Sequence, residues 1–464
     1  MNGRQPADGL LIREIPAMNE ILNYDWISTW LEKLGRTHVK RVINAELSRV
    51  RQNIIENDAA FSPENFRLSC IKSLAGALRN SLKRVINATG VIIHTNLGRS
   101  LISESAVKSM SLVATGYSNL EYDLENGTRG QRNAHIEGLM CSLTGAEAAF
   151  AVNNNAGAVL LSLCALSKNT EVVVSRGELV EIGGSFRIPD IMELSGAKLV
   201  EVGTTNRTHL HDYERAINER TSMLMKIHPS NFRIEGFTSS PERKALSRLA
   251  HDNGLIFMED AGSGLLADIK LPSKSSEITI NACLEAGADI VTFSGDKMLG
   301  GPQIGGIVGK KKYIDVLKKY PLARALRVDK VTLACFEEIL RLYMVGEYDK
   351  IPTLRMLNMN IDDIKSKALE LSEILKTKLK AEVNMIEVSD AVGGGSCPEI
   401  DLDGWGISIG HKNLSASYVQ KLLRSLDVPV ICGACEDRIV IHVRTLQDND
   451  FEILVKSLEG VYNA

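Results

Sequence analysis

Short apolar runs alternate with amphipathic stretches along most of the chain, beginning near residue 85. The runs have the length and the β-branched composition of buried strands, and stretches with apolar residues at helical spacing lie between several of them. This alternation predicts an α/β fold with a mostly parallel sheet that is covered by helices on both faces. The predicted strands are Ala148–Val152, Glu171–Ser175, Lys198–Val202, Ser222–Ile227, Leu255–Glu259 and Asp289–Phe293.

The two ends of the chain have different patterns. The first 84 residues contain helical spacing in Trp26–Leu34 and Glu46–Ile55, and Ser62-Pro63-Glu64 marks a helix start. Val328–Met344 predicts a long helix, and beyond it a smaller α/β unit follows. We therefore predict three domains: a helical domain over 1–84, a large domain over 85–345 and a small α/β domain over 346–464.

Composition narrows the class of protein. The chain has 464 residues, of which 44% are hydrophobic and 24% are charged, as is usual for globular proteins. No run reaches the ~18 consecutive apolar residues that a membrane helix needs. The N-terminus lacks the apolar segment of a secretory signal. The eight cysteines are scattered, and their single Cys-x-x-Cys pair, Cys432 with Cys435, is only half of a thiolate zinc site, so we expect no metal site and a reduced, cytoplasmic setting.

Charge is unevenly distributed along the chain. The net charge is −3, but residues 1–84 hold 13 Lys/Arg and 9 Asp/Glu, which gives 13 − 9 = +4 and leaves −3 − 4 = −7 for the remainder. Residues 65–84 contain five basic residues and no acidic one. Such clustering is typical of surfaces that bind a phosphate backbone, although a solvated helix face would look the same.

The strongest chemical motif surrounds Lys297. It follows a predicted buried strand and lies in the turn Ser294-Gly295-Asp296-Lys297, which leads to Gly300-Gly301. Lysines that form a Schiff base need a desolvated amine with a lowered pKa, and small neighbours would let a planar cofactor approach. Ser294 could donate a hydrogen bond to a phosphate. Taken alone, the motif is more typical of a surface lysine in a loop.

Two further motifs favour pyridoxal 5'-phosphate (PLP) as the cofactor. Asp260 ends an apolar run and is followed by small residues, as suits a carboxylate that keeps a pyridine nitrogen protonated. The turn after Val152 leads into an Ala- and Leu-rich helix, whose N-terminus is suited to bind a phosphate. The residues of this turn that we expect to contact the cofactor are Asn154, Asn155, Ala156 and Gly157. The order of phosphate turn, Asp and Lys is that of aminotransferase-like PLP enzymes, although each motif alone could be an ordinary turn.

Arginines in two other segments could bind an oxyanion. Arg99 ends a Gly-flanked turn, and Arg324 and Arg327 are spaced to share one face of a helix. A solvated helix face is the alternative for the pair. Further polar turns follow predicted strands at Gly203–Arg207 and His228–Asn231.

Together these segments resemble the bacterial selenocysteine synthases, a family of L-seryl-tRNA(Sec) selenium transferases. The resemblance covers essentially the whole chain, and its most specific part is Lys297 with Gly300-Gly301-Pro302-Gln303. Small departures, such as Ala261 where the family usually has Leu, remove no functional side chain. The matching segments include Ile86–Arg99, Leu120–Arg132, Val152–Val159, Val172–Asp190, Val202–Arg207, Thr292–Gly305 and Leu322–Lys330.

The resemblance implies a PLP-dependent transferase of fold type I, a homo-oligomer built as a ring of dimers. It implies that seryl-tRNA(Sec) is converted to selenocysteinyl-tRNA(Sec) through an aminoacrylyl-tRNA, with selenophosphate as the selenium donor. Lys297 would form the Schiff base, Asp260 would contact the pyridine nitrogen and Asp296 would assist proton transfer. Arg99, Arg324 and Arg327 would bind the donor, and residues 1–84 would bind the tRNA.

Two other functions stay open at this point. A PLP-dependent lyase or aminotransferase acting on a small amino acid or amino sugar would share the motifs around Lys297, but it would not need the basic helical extension. A tRNA-binding protein with an inactive PLP fold is the other alternative. The intact Lys297 and Asp260 argue against it.

Overall fold

The structure is a computed structural model that describes residues 14–57, 60–179, 181–182, 186–229, 232, 234–266 and 277–463. The chain divides into two compact units, Met1–Arg84 and Val85–Ala464. In the described part of the chain, no helix is long and apolar enough to cross a membrane.

The first unit is helical. Gly35, with φ of +73°, interrupts the regular geometry of its longest helix. Ser62 caps the last helix of this unit, because its side chain accepts a hydrogen bond from the Asn65 N–H, and Pro63 occupies the first turn as predicted. Apolar side chains from α2 and α3, including Ile43 and Leu74, form the core of the unit. The helices are α1 (Met18–Ile21), α2 (Asp25–Asn57) and α3 (Pro63–Leu78).

The second unit contains alternating strands and helices. Its strands are β1 (Ile86–Ala88), β2 (Tyr122–Asp123), β3 (Thr128–Arg129), β4 (Ala148–Val152), β5 (Glu171–Ser175), β6 (Glu181–Ile182), β7 (Phe186–Arg187), β8 (Lys198–Val202), β9 (Thr221–Ile227), β10 (Ile256–Gly262), β11 (Ile290–Ser294), β12 (Gly305–Gly309), β13 (Glu382–Gly393), β14 (Ser396–Gly410), β15 (Val430–Cys435) and β16 (Arg438–His442). Its helices are α4 (Glu104–Ala114), α5 (Ala134–Thr144), α6 (Asn155–Leu166), α7 (Ile188–Ser195), α8 (Leu210–Ala216), α9 (Arg243–Asp252), α10 (Ile280–Glu285), α11 (Lys311–Lys319), α12 (Leu322–Ala325), α13 (Lys330–Met344), α14 (Pro352–Leu357), α15 (Ile361–Lys378), α16 (Ala416–Arg424) and α17 (Phe451–Tyr462).

The larger sheet has the strand order β4-β12-β11-β10-β9-β5-β8 among the described residues. Strands β8, β5, β9, β10 and β11 run parallel, and β12 runs antiparallel to both of its neighbours. Alternate residues of the central strands enter two separate apolar cores, as Phe257 and Met258 do. The sheet is therefore buried on both faces, and the carboxyl ends of its parallel strands meet along one edge.

The smaller sheet has the order β1-β15-β16-β14-β13. Strand β1 pairs in parallel with β15, so Ile86 lies beside Val430. The first residues of the predicted large domain therefore belong to the sheet of the C-terminal part. The division of the second unit into two domains at residue 345 stays a prediction.

Most strand boundaries agree with the apolar runs. Strands β4, β5 and β8 begin and end where predicted, whereas β9, β10 and β11 are shifted by up to three residues. Strand β12 was not predicted, because its sequence Gly-Gly-Ile-Val-Gly has low strand propensity. The glycines are required there, since a Cβ on Gly306 would lie 2.1 Å from the Phe293 ring.

Candidate active site

Asp260 lies at the carboxyl edge of the larger sheet. It is the fifth residue of β10 and is 3% exposed. Its Oδ1 accepts hydrogen bonds from the Asn155 side-chain amide at 2.8 Å and from the Gly262 N–H at 3.1 Å. The Thr292 hydroxyl lies at 3.3 Å from the same oxygen. The carboxylate is therefore fixed by groups from three neighbouring segments.

Lys297 lies in the turn after β11, next to β10 in the sheet. The turn is held by main-chain hydrogen bonds from Gly295 to Ile304 and from Met298 to Ser263. Gly295 allows this packing, because a Cβ there would lie 2.4 Å from the Ile304 side chain. The Lys297 carbonyl accepts a hydrogen bond from the Ser100 hydroxyl at 2.7 Å. Lys297 is consequently 5% exposed, although its motif could also have formed a surface loop.

Burial changes the proton affinities of both groups in opposite directions. It raises the pKa of Asp260, against the effects of the Asn155 and Gly262 hydrogen bonds and of the positive Lys297. It lowers the pKa of Lys297, while the carboxylate of Asp260 acts in the opposite direction. A lysine amine with a lowered pKa is a better nucleophile and a better base at neutral pH.

Arg99 and Asp296 form an ion pair beside this lysine. Arg99 Nη1 lies 2.7 Å from Asp296 Oδ2, and the two side chains are 32% and 10% exposed. Arg99 adopts a positive φ of +63° in the turn that begins at His94. The main-chain N–H of Ser100 donates to the Asp296 carbonyl at 3.3 Å, which connects the two turns. The structure thus brings Arg99, Asp296 and Lys297 together.

The predicted phosphate turn connects β4 to α6. Asn154 caps this helix, since its Oδ1 accepts a hydrogen bond from the Gly157 N–H at 2.8 Å. Strand β12 approaches the turn closely, so a Cβ on Gly305 would lie 2.2 Å from the Asn154 carbonyl oxygen. Because Asn155 also donates to Asp260, the helix N-terminus and the buried carboxylate lie next to each other.

Arg324 and Arg327 lie on a separate cavity of about 610 Å³. The prediction that they share one helical face is wrong, because α12 ends at Ala325 and Arg327 lies beyond it. Both side chains nevertheless line the same cavity, and Arg327 Nη1 lies 3.7 Å from Glu121 Oε1. Arg99 does not line this cavity, so the three arginines form two groups within one chain.

The site has the features that PLP requires. The ring nitrogen of PLP needs a carboxylate, the aldehyde of PLP needs a lysine and the phosphate of PLP needs N–H donors. Asp260, Lys297 and the N-terminus of α6 supply these groups at one edge of the sheet. One buried polar atom beside Asp260, Asn155 Oδ1, has no hydrogen-bond partner among the described residues and could serve a bound ligand.

Comparison with known proteins decides the family. A model of the L-seryl-tRNA selenium transferase family matches residues 85–447, and a model of the selenocysteine synthase N terminal region matches residues 12–51. The chain is 46% identical over 456 residues to the L-seryl-tRNA(Sec) selenium transferase of Clostridium perfringens strain 13, covering 97% of this chain and 98% of that protein. It is 45% identical over 453 residues to the enzyme of the same name from Clostridium botulinum strain Loch Maree, with the same coverage. This chain belongs to the L-seryl-tRNA selenium transferase family.

The fold agrees with this assignment. A D-glucosaminate-6-phosphate ammonia-lyase has a similar structure, with a TM-score of 0.57 and 19% sequence identity over 82% of this chain and 96% of that one. The predicted fold class, a type I PLP-dependent transferase fold, is confirmed. Membership of the selenium transferase family also confirms the predicted enzyme class and PLP as the cofactor.

Sequence reasoning missed several side chains at this edge of the selenium transferase fold. Thr292 contacts Asp260 but resembles any other residue of a buried strand. His228 follows β9 in a turn recognised only as polar, and Ser230 and Asn231 of the same turn lie outside the described residues. Glu277 contacts His228 and Ser263, and no motif in the sequence marks it.

Proposed function

We propose that this chain converts seryl-tRNA(Sec) to selenocysteinyl-tRNA(Sec), with PLP as cofactor and selenophosphate as the selenium donor. The observation that carries the proposal is the position of Lys297 and Asp260 at adjoining strand ends in a chain of this family. A cytoplasmic location belongs to the proposal, because charged tRNAs are used by ribosomes.

Four groups at the carboxyl edge of the larger sheet would hold the cofactor. Lys297 would bind it covalently, Asp260 would contact its ring nitrogen, and Ser294 with the Asn154–Gly157 turn would bind its phosphate. When bound, PLP withdraws electrons from the substrate carbon to which the amino group is attached. The fixed position of Asp260, with hydrogen bonds from Asn155 and Gly262, supports its role as the ring partner.

Lys297 would move the proton at the reacting carbon. Burial lowers the pKa of its amine, which makes the neutral form that accepts a proton at Nζ easier to reach than for an exposed lysine. Asp296 would assist this transfer from the adjacent position. Its ion pair with Arg99 fixes the direction of the carboxylate, which supports a defined role rather than a solvated one.

The selenium donor is an anion, and the proposed ligands are Arg99, Arg324 and Arg327. Guanidinium groups bind phosphate oxygens in pairs of hydrogen bonds. Arg99 lies beside Lys297, whereas the other two line the cavity with Glu121.

A homo-oligomer built of dimers, arranged as a ring, is part of the proposal. It is supported by a run of large apolar side chains that are exposed within one chain. These side chains are Leu101, Val107, Leu112, Tyr117, Tyr122 and Leu124.

The first unit would bind the tRNA. Its net charge of +4 contrasts with −7 for the remainder, and most of its basic side chains are exposed. Contacts between lysine or arginine and phosphate provide most of the affinity of a protein for a nucleic acid backbone. The exposed basic residues in this unit include Lys33, Arg36, Arg41, Arg51, Arg67, Lys72, Arg79, Lys83 and Arg84.

The deciding experiment incubates the purified full-length protein with PLP, radiolabelled seryl-tRNA(Sec) and selenophosphate. The aminoacyl ester is then hydrolysed and the amino acid identified. We expect labelled selenocysteine from seryl-tRNA(Sec) and none when selenophosphate is omitted or Lys297 is replaced by alanine. Turnover of a small amino acid or amino sugar, with no change in the tRNA-bound serine, would instead support the lyase or aminotransferase function.

A further inference from the structure

A second buried carboxylate, Glu277, lies close to the active site. Its side chain is 1% exposed. Oε2 accepts a hydrogen bond from the Ser263 hydroxyl at 2.5 Å and lies 3.3 Å from His228 Nε2. Oε1 accepts a hydrogen bond from the main-chain N–H of Cys397 at 3.0 Å. One carboxylate thus contacts three segments that are far apart in sequence.

Two of these segments also contact the active-site residues. His228 directly follows β9, and its N–H donates to the Asp260 carbonyl at 2.9 Å. Ser263 directly follows β10, and its carbonyl accepts the hydrogen bond from the N–H of Met298, the residue after Lys297. Glu277 is therefore linked through His228 to Asp260, and through Ser263 to Met298, the neighbour of Lys297. The third segment, at Cys397, adjoins the Gly393–Ser396 turn between β13 and β14.

The surroundings keep Glu277 ionised. Burial alone would raise its pKa, but His228, the Ser263 hydroxyl and the Cys397 N–H together lower it. The His228 ring is 4% exposed, and its Nε2 lacks an aligned hydrogen bond. A buried polar atom without a partner costs about 1–3 kcal/mol, so a carboxylate at 3.3 Å stabilises this ring orientation.

The charge of Glu277 also reaches Lys297. The charged groups that act on the lysine amine are Asp260, Arg99, Asp296 and Glu277. The three carboxylates favour the protonated amine, and Arg99 opposes it. Asp260 and Asp296 have proposed roles in the reaction, whereas Glu277 has none so far.

We propose that Glu277 is a positioning residue, which holds His228 and Ser263 in place beside Asp260 and Lys297 and adds a fixed negative charge to this edge. The inference rests on the proposed function, because it assumes that this edge binds PLP. Through Cys397, the same carboxylate connects the β13–β14 turn to the site. Loss of the Glu277 charge therefore affects cofactor affinity and proton equilibria together.

The test uses the full-length holoenzyme and the variant Glu277→Gln. We expect the dissociation constant for PLP to rise roughly tenfold, since contacts of a charged group are lost. We expect the pH midpoint of the absorbance change of the bound cofactor to move to lower pH by about one unit, because a negative charge near the protonated nitrogen is removed. Both readouts are independent of turnover.

Asp289→Asn is the matched control. Asp289 is also buried, lies 3.1 Å from His251 Nε2 and accepts a hydrogen bond from the Phe257 N–H at 2.8 Å. It precedes β11 and is therefore at the opposite edge of the same sheet. We expect Asp289→Asn to lower thermal stability without moving the pH midpoint. An equal shift in this control would overturn the proposal.

Two further variants separate positioning from a general structural role. Glu277→Asp keeps the charge, so the pH midpoint should return towards that of the wild type even if PLP binding stays weaker. In a His228→Gln background, Glu277→Gln should change PLP affinity less than it does alone, because the two residues act together. Additive effects, or a Glu277→Gln variant with unchanged affinity and midpoint, would refute the inference. If Glu277→Gln does not fold, the PLP affinity and the pH midpoint of Glu277→Asp and of His228→Gln test the inference instead. A wild-type protein that takes up no PLP would refute the proposed function itself.

Discussion

The side-chain amide of Asn155 donates a hydrogen bond to Asp260 Oδ1 at 2.8 Å. This contact joins the N-terminus of α6 to the end of β10, which are 105 residues apart in the chain. The proposed phosphate site and the proposed ring partner are therefore held at a fixed separation before a cofactor binds. Such preorganisation is the reason that small changes at either end should affect catalysis.

Asp260→Asn should reduce kcat without unfolding the protein. The asparagine keeps the shape of the side chain but loses the charge, and we expect a fall of about 100-fold or more, or ~2.7 kcal/mol in the activation barrier. Because removal of a buried charge lowers the desolvation penalty, the thermal unfolding temperature should stay the same or rise. Steady-state kinetics and calorimetry on the same preparation check both expectations. A variant with kcat within threefold of the wild type would exclude Asp260 as the ring partner.

Gly305→Ala should weaken PLP binding. The new Cβ would lie 2.2 Å from the Asn154 carbonyl oxygen and 2.8 Å from the Asn155 nitrogen, so the phosphate turn must move. We expect the dissociation constant for PLP, measured by fluorescence titration, to rise roughly 10- to 100-fold. Gly460→Ala is the control, because nothing lies within 4 Å of the added Cβ. The control should bind PLP normally and be about 0.5–1 kcal/mol more stable. Equal PLP affinity in both variants would contradict the proposed role of the turn.

Arg99→Ala should raise the KM for selenophosphate more than the KM for seryl-tRNA(Sec). Hydrogen bonds to a charged group contribute about 1.5–3 kcal/mol, which corresponds to a rise of roughly 10- to 150-fold. Arg341→Ala provides a matched control, since Arg341 is exposed and paired with Glu337 on α13. If kcat fell while the KM for selenophosphate stayed constant, Arg99 would act only through Asp296.

Glu46→Gln should destabilise the first unit at neutral pH. Glu46 is 4% exposed and accepts hydrogen bonds from Ser69 and Ser73 at 2.7 Å each and from Arg49 at 2.8 Å. The two hydroxyls and the arginine lower its pKa against the effect of burial. A carboxyl group whose pKa is lower in the folded state than in the unfolded state stabilises the protein when the pH is above its unfolded-state pKa, which is about 4.3 for glutamate. This stabilisation is lost as the pH falls through the pKa of the folded state.

The difference between wild type and Glu46→Gln should therefore be largest near pH 7 and shrink below about pH 4. At neutral pH we expect the free energy of unfolding to be about 1–3 kcal/mol lower in the variant than in the wild type. Tryptophan fluorescence in a Trp405→Phe background measures it, because the remaining tryptophans, Trp26 and Trp30, both lie in the first unit. A difference that does not depend on pH would indicate that Glu46 contributes by packing alone.

The sequence predicts those parts of the fold that depend on local pattern. Continuous apolar runs marked β4, β5 and β8 correctly, and Ser62-Pro63 marked the start of α3, because burial and capping are encoded in neighbouring residues. Local pattern failed where distant backbone determines the structure. Strand β12 exists because its glycines fit against Phe293, and α12 ends before Arg327 despite helical spacing.

The residues of the candidate site also divide into those that local sequence pattern predicts and those that depend on distant parts of the chain. Lys297, Asp260 and the Asn154–Gly157 turn each follow an apolar run, so the rule that ligands bind at strand ends was sufficient to find them. Glu277 has no such signal, because its partner His228 is 49 residues earlier and Cys397 is 120 residues later. Only the folded chain brings these three residues together.

The pairing of β1 with β15 has a consequence for the synthesis of this protein. Ile86 cannot meet Val430 until 430 − 86 = 344 further residues have been translated. At about 5–20 residues per second, the β1 segment waits roughly 20–70 s on the ribosome for its neighbour. The first unit and most of the larger sheet leave the exit tunnel during that interval, whereas the smaller sheet is completed only after β15 and β16 have been translated. Chains that stop early therefore expose the edge of β1, which makes them targets for chaperones and proteases.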